Sequence, residues 1–298
     1  MRHYITLLTL LTLIGCGQTE TKKVITTYDS GKPEIVYYYQ DKDDTLNYRY
    51  EILYETGKRF CEGNFSNGKK NGIWTWWYKN GIKKDQCKFD NDYHIDTVYH
   101  WTDKGHLEDV EVLNSRQIRS EDCCNCNTTL LRYYENGNLK EKFKKINGQF
   151  VDSVFKWFEN GKLKYQAFCV NGKLEGTTIE YDEDGGWKIR NYSNDTLNGK
   201  TYEHLIDTSG VILAEGQYAN GQETGIWYWR DKDSILYQTA TYENGKYFGD
   251  YKRYYKNGQT ELSGFLIDDN TREGKFSYYD TTGKLTKTEY WKNGRKLR

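Results

Sequence analysis

Phe65-Ser66-Asn67-Gly68-Lys69-Lys70-Asn71-Gly72-Ile73-Trp74-Thr75-Trp76-Trp77-Tyr78-Lys79-Asn80-Gly81 decides the fold of this chain. An aromatic-rich run lies between two Asn-Gly pairs. Asn-Gly is the dipeptide best suited to a tight hairpin, because a type I′ turn places both central residues at positive φ. The cassette returns as Tyr242, Asn244-Gly245, Gly249, Tyr251, Tyr254, Tyr255 and Asn257-Gly258. Turn glycines stand at Gly31, Gly57, Gly81, Gly105, Gly137, Gly161, Gly185, Gly210, Gly258 and Gly283, spaced by 26, 24, 24, 32, 24, 24, 25, 48 and 25 residues. The interval of 48 holds two periods, with Asp233-Ser234 at the missing turn. A fixed period over this length signals a repeat architecture in which each unit contacts only its neighbours.

Two turns per period imply two strands per period. Leu163 to Phe168 alternates apolar with polar, as a half-buried strand requires, whereas Thr75 to Tyr78 carries contiguous rings for both faces. The expected fold is all-β: an elongated antiparallel β-meander of about ten two-stranded repeats, a twisted single-layer sheet. With strands ~4.8 Å apart, it would advance roughly 10 Å per repeat. The array is expected over residues 28–298, with an insertion at about 114–128 where the period lengthens. Composition agrees. The 28 Tyr and 9 Trp supply the burial that scarce aliphatic residues do not, and the only proline is Pro33.

Residues 1–15 read as a signal peptide: basic Met1-Arg2-His3, then an apolar run from Tyr4 to Ile14 that is too short to span a bilayer. Leu13-Ile14-Gly15-Cys16 resembles a bacterial lipobox, which implies a lipid on Cys16 and a polar tether over residues 16–27. The expected location is the bacterial cell envelope, lipid-anchored, at the outer membrane or facing the periplasm. Lysine plus arginine and aspartate plus glutamate both number 43, and the charges are interspersed, so no basic footprint for nucleic acid emerges.

The unit written with Phe65, Gly68, Gly72, Trp74 and Tyr78 resembles the MORN repeat in its bacterial variant form. Phe168, Gly172, Gly176 and Tyr181 match it again, as do Tyr218, Gly221, Gly225 and Trp227. Asn91-Asp92 and Asp269-Asn270 replace Asn-Gly, and Ile95 stands where the next glycine is expected. The resemblance implies an elongated sheet that serves as a scaffold or accompanies a catalytic domain.

Gly68, Gly81, Gly172, Gly221 and Gly258 are expected in tight turns at positive φ. Cys123, Cys124 and Cys126 form a possible disulfide or metal cluster, with His94, His100 and His106 one repeat upstream. In an exported chain a disulfide is the commoner outcome, and no metal is expected. Cys61 and Cys87 fall on strands separated by one other, too far apart for a disulfide. Trp74, Trp76, Trp77, Trp227 and Trp229 are a candidate binding surface, and cross-strand packing is the competing role. No catalytic constellation or phosphate loop stands out. The expected protein is a membrane-tethered, non-catalytic repeat scaffold for protein–protein interaction, with no cofactor. Its partner would be an unidentified protein or a surface polymer. The competing class is a carbohydrate- or cell-wall-binding module that uses exposed aromatic residues.

Overall fold

The computed structural model describes residues 20–41, 43–113, 127–207, 210–269 and 271–298. Every described element is a strand or a turn. The strands are β1 (Thr21–Thr27), β2 (Pro33–Tyr39), β3 (Tyr48–Leu53), β4 (Arg59–Ser66), β5 (Lys69–Trp77), β6 (Lys83–Asp90), β7 (Tyr93–Trp101), β8 (Leu107–Leu113), β9 (Thr128–Tyr133), β10 (Leu139–Ile146), β11 (Gln149–Trp157) and β12 (Leu163–Val170). They continue as β13 (Lys173–Leu174), β14 (Gly176–Tyr181), β15 (Trp187–Ser193), β16 (Thr196–Leu197), β17 (Gly199–Asp207), β18 (Gly210–Ala219), β19 (Gln222–Asp231), β20 (Leu236–Glu243), β21 (Lys246–Tyr254), β22 (Thr260–Asp268), β23 (Thr271–Tyr279), β24 (Leu285–Lys292) and β25 (Arg295–Lys296). Pairing is antiparallel and follows chain order, so the sheet is the expected meander. Two compact units divide it. One runs to Ile95 and includes 103–105; the other comprises 96–102 and 106–298.

The two turns of each repeat differ in kind. Asn67 and Gly68 have φ of 54° and 74°, the two-residue type I′ turn. Asn171-Gly172, Asn220-Gly221 and Asn244-Gly245 repeat it, and Asn91-Asp92 (50° and 68°) builds it without glycine. At the second turn only Gly81 is positive, at 95°. Gly81 N–H donates to Tyr78 O at 2.8 Å and Tyr78 N–H to Ile82 O at 2.8 Å, which closes a longer loop with glycine at its left-handed position. Asn80 is not among the positive-φ residues, so Asn80-Gly81 is not the type I′ turn that Asn-Gly favours, while Gly81 is at positive φ as expected. Asn80 serves through its side chain: Oδ1 accepts from Ile82 N–H at 3.0 Å, and Nδ2 donates to Asp103 O in the next repeat's loop at 2.7 Å. Asn136 and Asn257 make the same bridge to Glu159 O and Thr281 O. Ser234, at φ 63°, fills the missing turn between Asp231 and Ile235. The other positive-φ position of the repeat, held by Gly72 and Gly225, is taken by Asp96 at 69° rather than by Ile95, one residue later than expected.

Tyrosine hydroxyls tie repeat to repeat on the same side as the longer loops. Tyr28, Tyr54, Tyr134 and Tyr255 donate to the carbonyls of Leu53, Trp77, Trp157 and Tyr279, all at 2.7–2.8 Å. At the type I′ end the glycine N–H donates back one repeat, Gly68 to Leu46 O and Gly221 to Leu197 O. Each end of the strand stack thus carries a ladder that satisfies backbone groups the sheet itself leaves unpaired.

Packing concentrates on one face. In the first unit Tyr37, Tyr48, Phe65 and Trp74 form a chain of rings with centroids 4.4, 4.9 and 5.3 Å apart. Trp74 is 1% exposed. It lies flat over Gly63, where a Cβ would fall inside the indole carbons. In the second unit Gly216 faces Trp227 and Gly264 faces Phe276 in the same way. The Lys70 ammonium closes the top of Trp74 at 4.5 Å, and Arg272 does so for Phe276 at 4.7 Å. A large ring on one strand, a glycine on its neighbour and an aliphatic-stemmed cation above let a single layer bury a core without a second sheet.

The tether expectation gives way at its C-terminal end. Thr21–Thr27 pairs with β2 from Thr21↔Tyr39 to Thr27↔Pro33, and its side chains are exposed. Its polar, β-branched composition suits an edge strand that pairs through backbone. Cys61 and Cys87 lie opposite Trp76 and Trp74, with β5 between their strands.

The last repeat carries a charged exception to this apolar face. Glu289, 7% exposed, accepts from Tyr278 Oη and Lys296 Nζ at 2.7 Å and meets Lys287 at 2.7 Å and Arg272 at 3.6 Å. Lys287, then Lys296 and Tyr278, hold its carboxyl well below the usual carboxylate range. A depressed folded-state value stabilises the fold above the unfolded carboxyl range and is lost as pH falls towards the folded value. Acid titration is therefore expected to loosen β22–β24 as pH drops below about 4. Glu289→Gln should be less stable at neutral pH and flatten that dependence. Trp291 fluorescence against pH measures both, and parallel acid transitions in the two proteins would refute it.

Candidate functional site

A concave groove of about 730 Å³ opens on the aromatic face of the second unit, across β9 to β14. Its origin lies in one pair of residues. Counting from the type I′ turn, Val154 stands at the position of Trp74 and Phe143 at that of Gly63. The large–small order is inverted relative to Gly63–Trp74, Gly216–Trp227 and Gly264–Phe276, and no ring stands at this position of β11. Phe143 is 7% exposed, and the floor continues through Val154 and Ala167, which are register partners. Phe150, 37% exposed, stands edge-on to Phe143 at 5.1 Å.

A polar row runs beside the floor. Arg132, Glu141, Lys156, Tyr165 and Glu180 are successive register partners across five strands. Glu141 is engaged by Arg132 at 3.1 Å and Lys156 at 3.6 Å. Lys140, Lys145 and Lys164 also line the groove, and among the described residues none of them ion-pairs with a carboxylate. They lie over rings instead: Lys145 at 4.8 Å from Phe150, Lys140 at 5.5 Å from Tyr134, Lys164 at 5.3 Å from Phe158. Burial raises the Tyr165 hydroxyl and the Cys169 thiol above their ordinary values, so both stay protonated at neutral pH. The groove offers an apolar floor and donors; it presents no activated nucleophile.

The residues singled out by sequence fall in several places. Trp74 and Trp227, at 1% and 5% exposed, are packing residues, which corrects their reading as binding surface. Trp76 and Trp229 are half-buried on the same face as those two, and Trp77 alternates to the other. Gly68, Gly81, Gly172, Gly221 and Gly258 have φ of 74°, 95°, 81°, 81° and 83°. His94 is buried edge-on against Phe89 at 4.2 Å, His100 Nε2 meets Glu111 at 3.9 Å, and His106 Nδ1 bonds Glu135 O at 2.6 Å. No cluster of three His, Cys, Asp or Glu suited to a metal occurs among the described residues. Burial pushes the Cys61 thiol up to about 12. Cys16, Cys123, Cys124 and Cys126 lie outside the described residues. Sequence reading missed the groove, although aligning repeats on Asn147 and Asn67 exposes the exchange at Phe143 and Val154.

A family model described as the MORN repeat variant matches residues 70–91, 129–143 and 272–293. The chain carries MORN repeats. The three matches fall in both units, and the second covers most of the β9–β10 hairpin at one end of the groove. No curated protein matches the chain. Among solved structures, one titled "Crystal Structure of TcdB2-TccC3-Cdc42" aligns at 11% identity over 91% of this chain and 19% of that one, with a TM-score of 0.21. This chain spans under a fifth of that chain's length, and a score this low supports no structural inference.

Proposed function

We propose that this MORN-repeat chain is a non-catalytic scaffold, tethered to the cell envelope through lipid on Cys16, that binds a protein partner through the β9–β14 groove. One observation carries the reading: a valine, Val154, stands where Trp74, Trp227 and Phe276 place a ring, leaving an apolar floor beside three lysines, Lys140, Lys145 and Lys164, that ion-pair with no carboxylate among the described residues. A concave apolar surface with a few directed polar groups is the usual form of a binding site. A carbohydrate module would instead display flat exposed rings, whereas the groove's central ring, Phe143, is buried.

Two measurements test this. Cys16→Ser is expected to move the chain from the membrane to the soluble fraction or to leave it unprocessed. A photo-crosslinking residue at position 154 is expected to give a discrete adduct with a protein in intact cells, and one at exposed Lys252 none. Unchanged membrane association would overturn the tether; adducts with glycan, or equal yields from both positions, would overturn the groove as the docking site.

A further inference from the structure

Building on the scaffold reading above, we propose that the groove receives an acidic extended segment of its partner, anchored by one aromatic or large aliphatic side chain over Val154. The argument begins with shape. In the hairpins holding Gly63–Trp74, Gly216–Trp227 and Gly264–Phe276 a ring covers a glycine and the surface is closed. At Phe143–Val154 the ring sits on the other strand and the side chain at the covering position is only a valine. Val154 is half-buried and Ala167 is 2% exposed, so the uncovered apolar surface of the floor lies at Val154. Phe150 stands exposed beside it, ready to contact an incoming apolar group edge-on.

Charge then selects the occupant. Five cations and two carboxylates line the groove, and one of those carboxylates, Glu141, is shared between Arg132 and Lys156. Lys140, Lys145 and Lys164 hold their ammonium groups over rings, a weak arrangement that a carboxylate ligand displaces at little cost. Arg132 and Lys156 stand in the polar row and Lys145 beside Phe150, so acidic residues flanking an anchor over Val154 would meet cations. The chain as a whole has equal numbers of acidic and basic residues, so this local excess is not inherited from composition. A partner with acidic groups but no anchor would gain only the screened attraction of exposed charges. A neutral apolar segment would leave the rim unpaired. The combination distinguishes an acidic peptide from a sulfated glycan, which carries no compact apolar anchor, and from duplex DNA, whose bases are stacked within the helix.

The test uses the full-length chain in detergent and a labelled Glu/Asp-rich peptide with one central Phe, read by fluorescence anisotropy. Replacing that Phe by Ala is expected to weaken binding by about tenfold or more, as loss of a central anchor does. Lys145→Glu should weaken both peptides by about tenfold. Phe143→Gly with Val154→Trp rebuilds the closed arrangement of the sister repeats. It should bring the Phe-to-Ala ratio to about one while leaving the salt-dependent attraction in place. Lys145→Glu, at a half-buried rim position, keeps the test decisive if the double variant does not fold. The inference is overturned if the two peptides bind alike to the unmodified chain, or if a sulfated oligosaccharide or a DNA duplex binds as tightly and competes. Should those results coincide with a surviving protein adduct from position 154, the acidic segment falls and the scaffold reading stands. Loss of the adduct removes both.

Discussion

Gly63→Val is expected to destabilise the repeat around β4 and β5 by about 3 kcal/mol, the upper end of what overpacking costs. Strain at the residue's own backbone is not the cause, because Gly63 is absent from the positive-φ residues. The cause is the indole of Trp74, which occupies the space a Cβ needs and is itself held by Tyr50, Phe65 and Phe89 at 5.6, 5.3 and 5.9 Å. The ring cannot yield without disturbing three neighbours. The chain itself suggests the rescue: Phe143 opposite Val154 shows that the same site accepts the large residue on the other strand. Gly63→Phe combined with Trp74→Val is therefore expected to recover most of the loss, a coupling that a double-mutant cycle isolates. Hydrogen exchange should show lost protection in β3 to β6 for Gly63→Val. Contact only between neighbouring repeats predicts little change in the last repeats. An unchanged melting curve for Gly63→Val would mean that the ring does not cover the glycine.

That pairing marks the boundary of what could be read without coordinates. The hairpins, their order and the filled turn at Asp233-Ser234 follow from local chemistry, since a tight turn is decided by the few residues within it. Which face a ring occupies is not local. A bulge near Gly63, between Glu62 and Asn64, shifts the parity of β4 against β5, so counting alternate residues from one turn fails to bring Trp74 over its glycine. The tyrosine and asparagine ladders escaped notice for a related reason. Tyr54 and Asn80 bond backbone carbonyls one repeat away, and a carbonyl has no sequence signature. Asn80 was legible as a turn residue, but its side-chain bridge to the next loop was not. The groove was the least legible feature, because it arises from an exchange between two positions whose equivalence appears only once the repeats are superposed.

The neighbouring residues Trp227 and Ile226 offer the sharpest separation of packing from surface. Trp227→Ala is expected to cost about 3–5 kcal/mol, and Ile226→Ala within about 0.5 kcal/mol of nothing. The two side chains leave adjacent points of β19 on opposite faces. Trp227 is 5% exposed, packed against Tyr218, Trp229 and Tyr242 with centroids 5.5, 6.2 and 5.7 Å away, and paired with Ala240. Ile226 is 52% exposed and paired with Thr241. Removing the indole opens a cavity that rings on three strands cannot collapse to fill, because each is fixed by its own cross-strand neighbours. Removing the isoleucine takes away atoms that water already reaches. Chemical denaturation followed by circular dichroism compares the variants directly. Similar losses for both would show that the outer face is covered by something in the folded chain. A stable Trp227→Ala would return this tryptophan to the candidate binding surface.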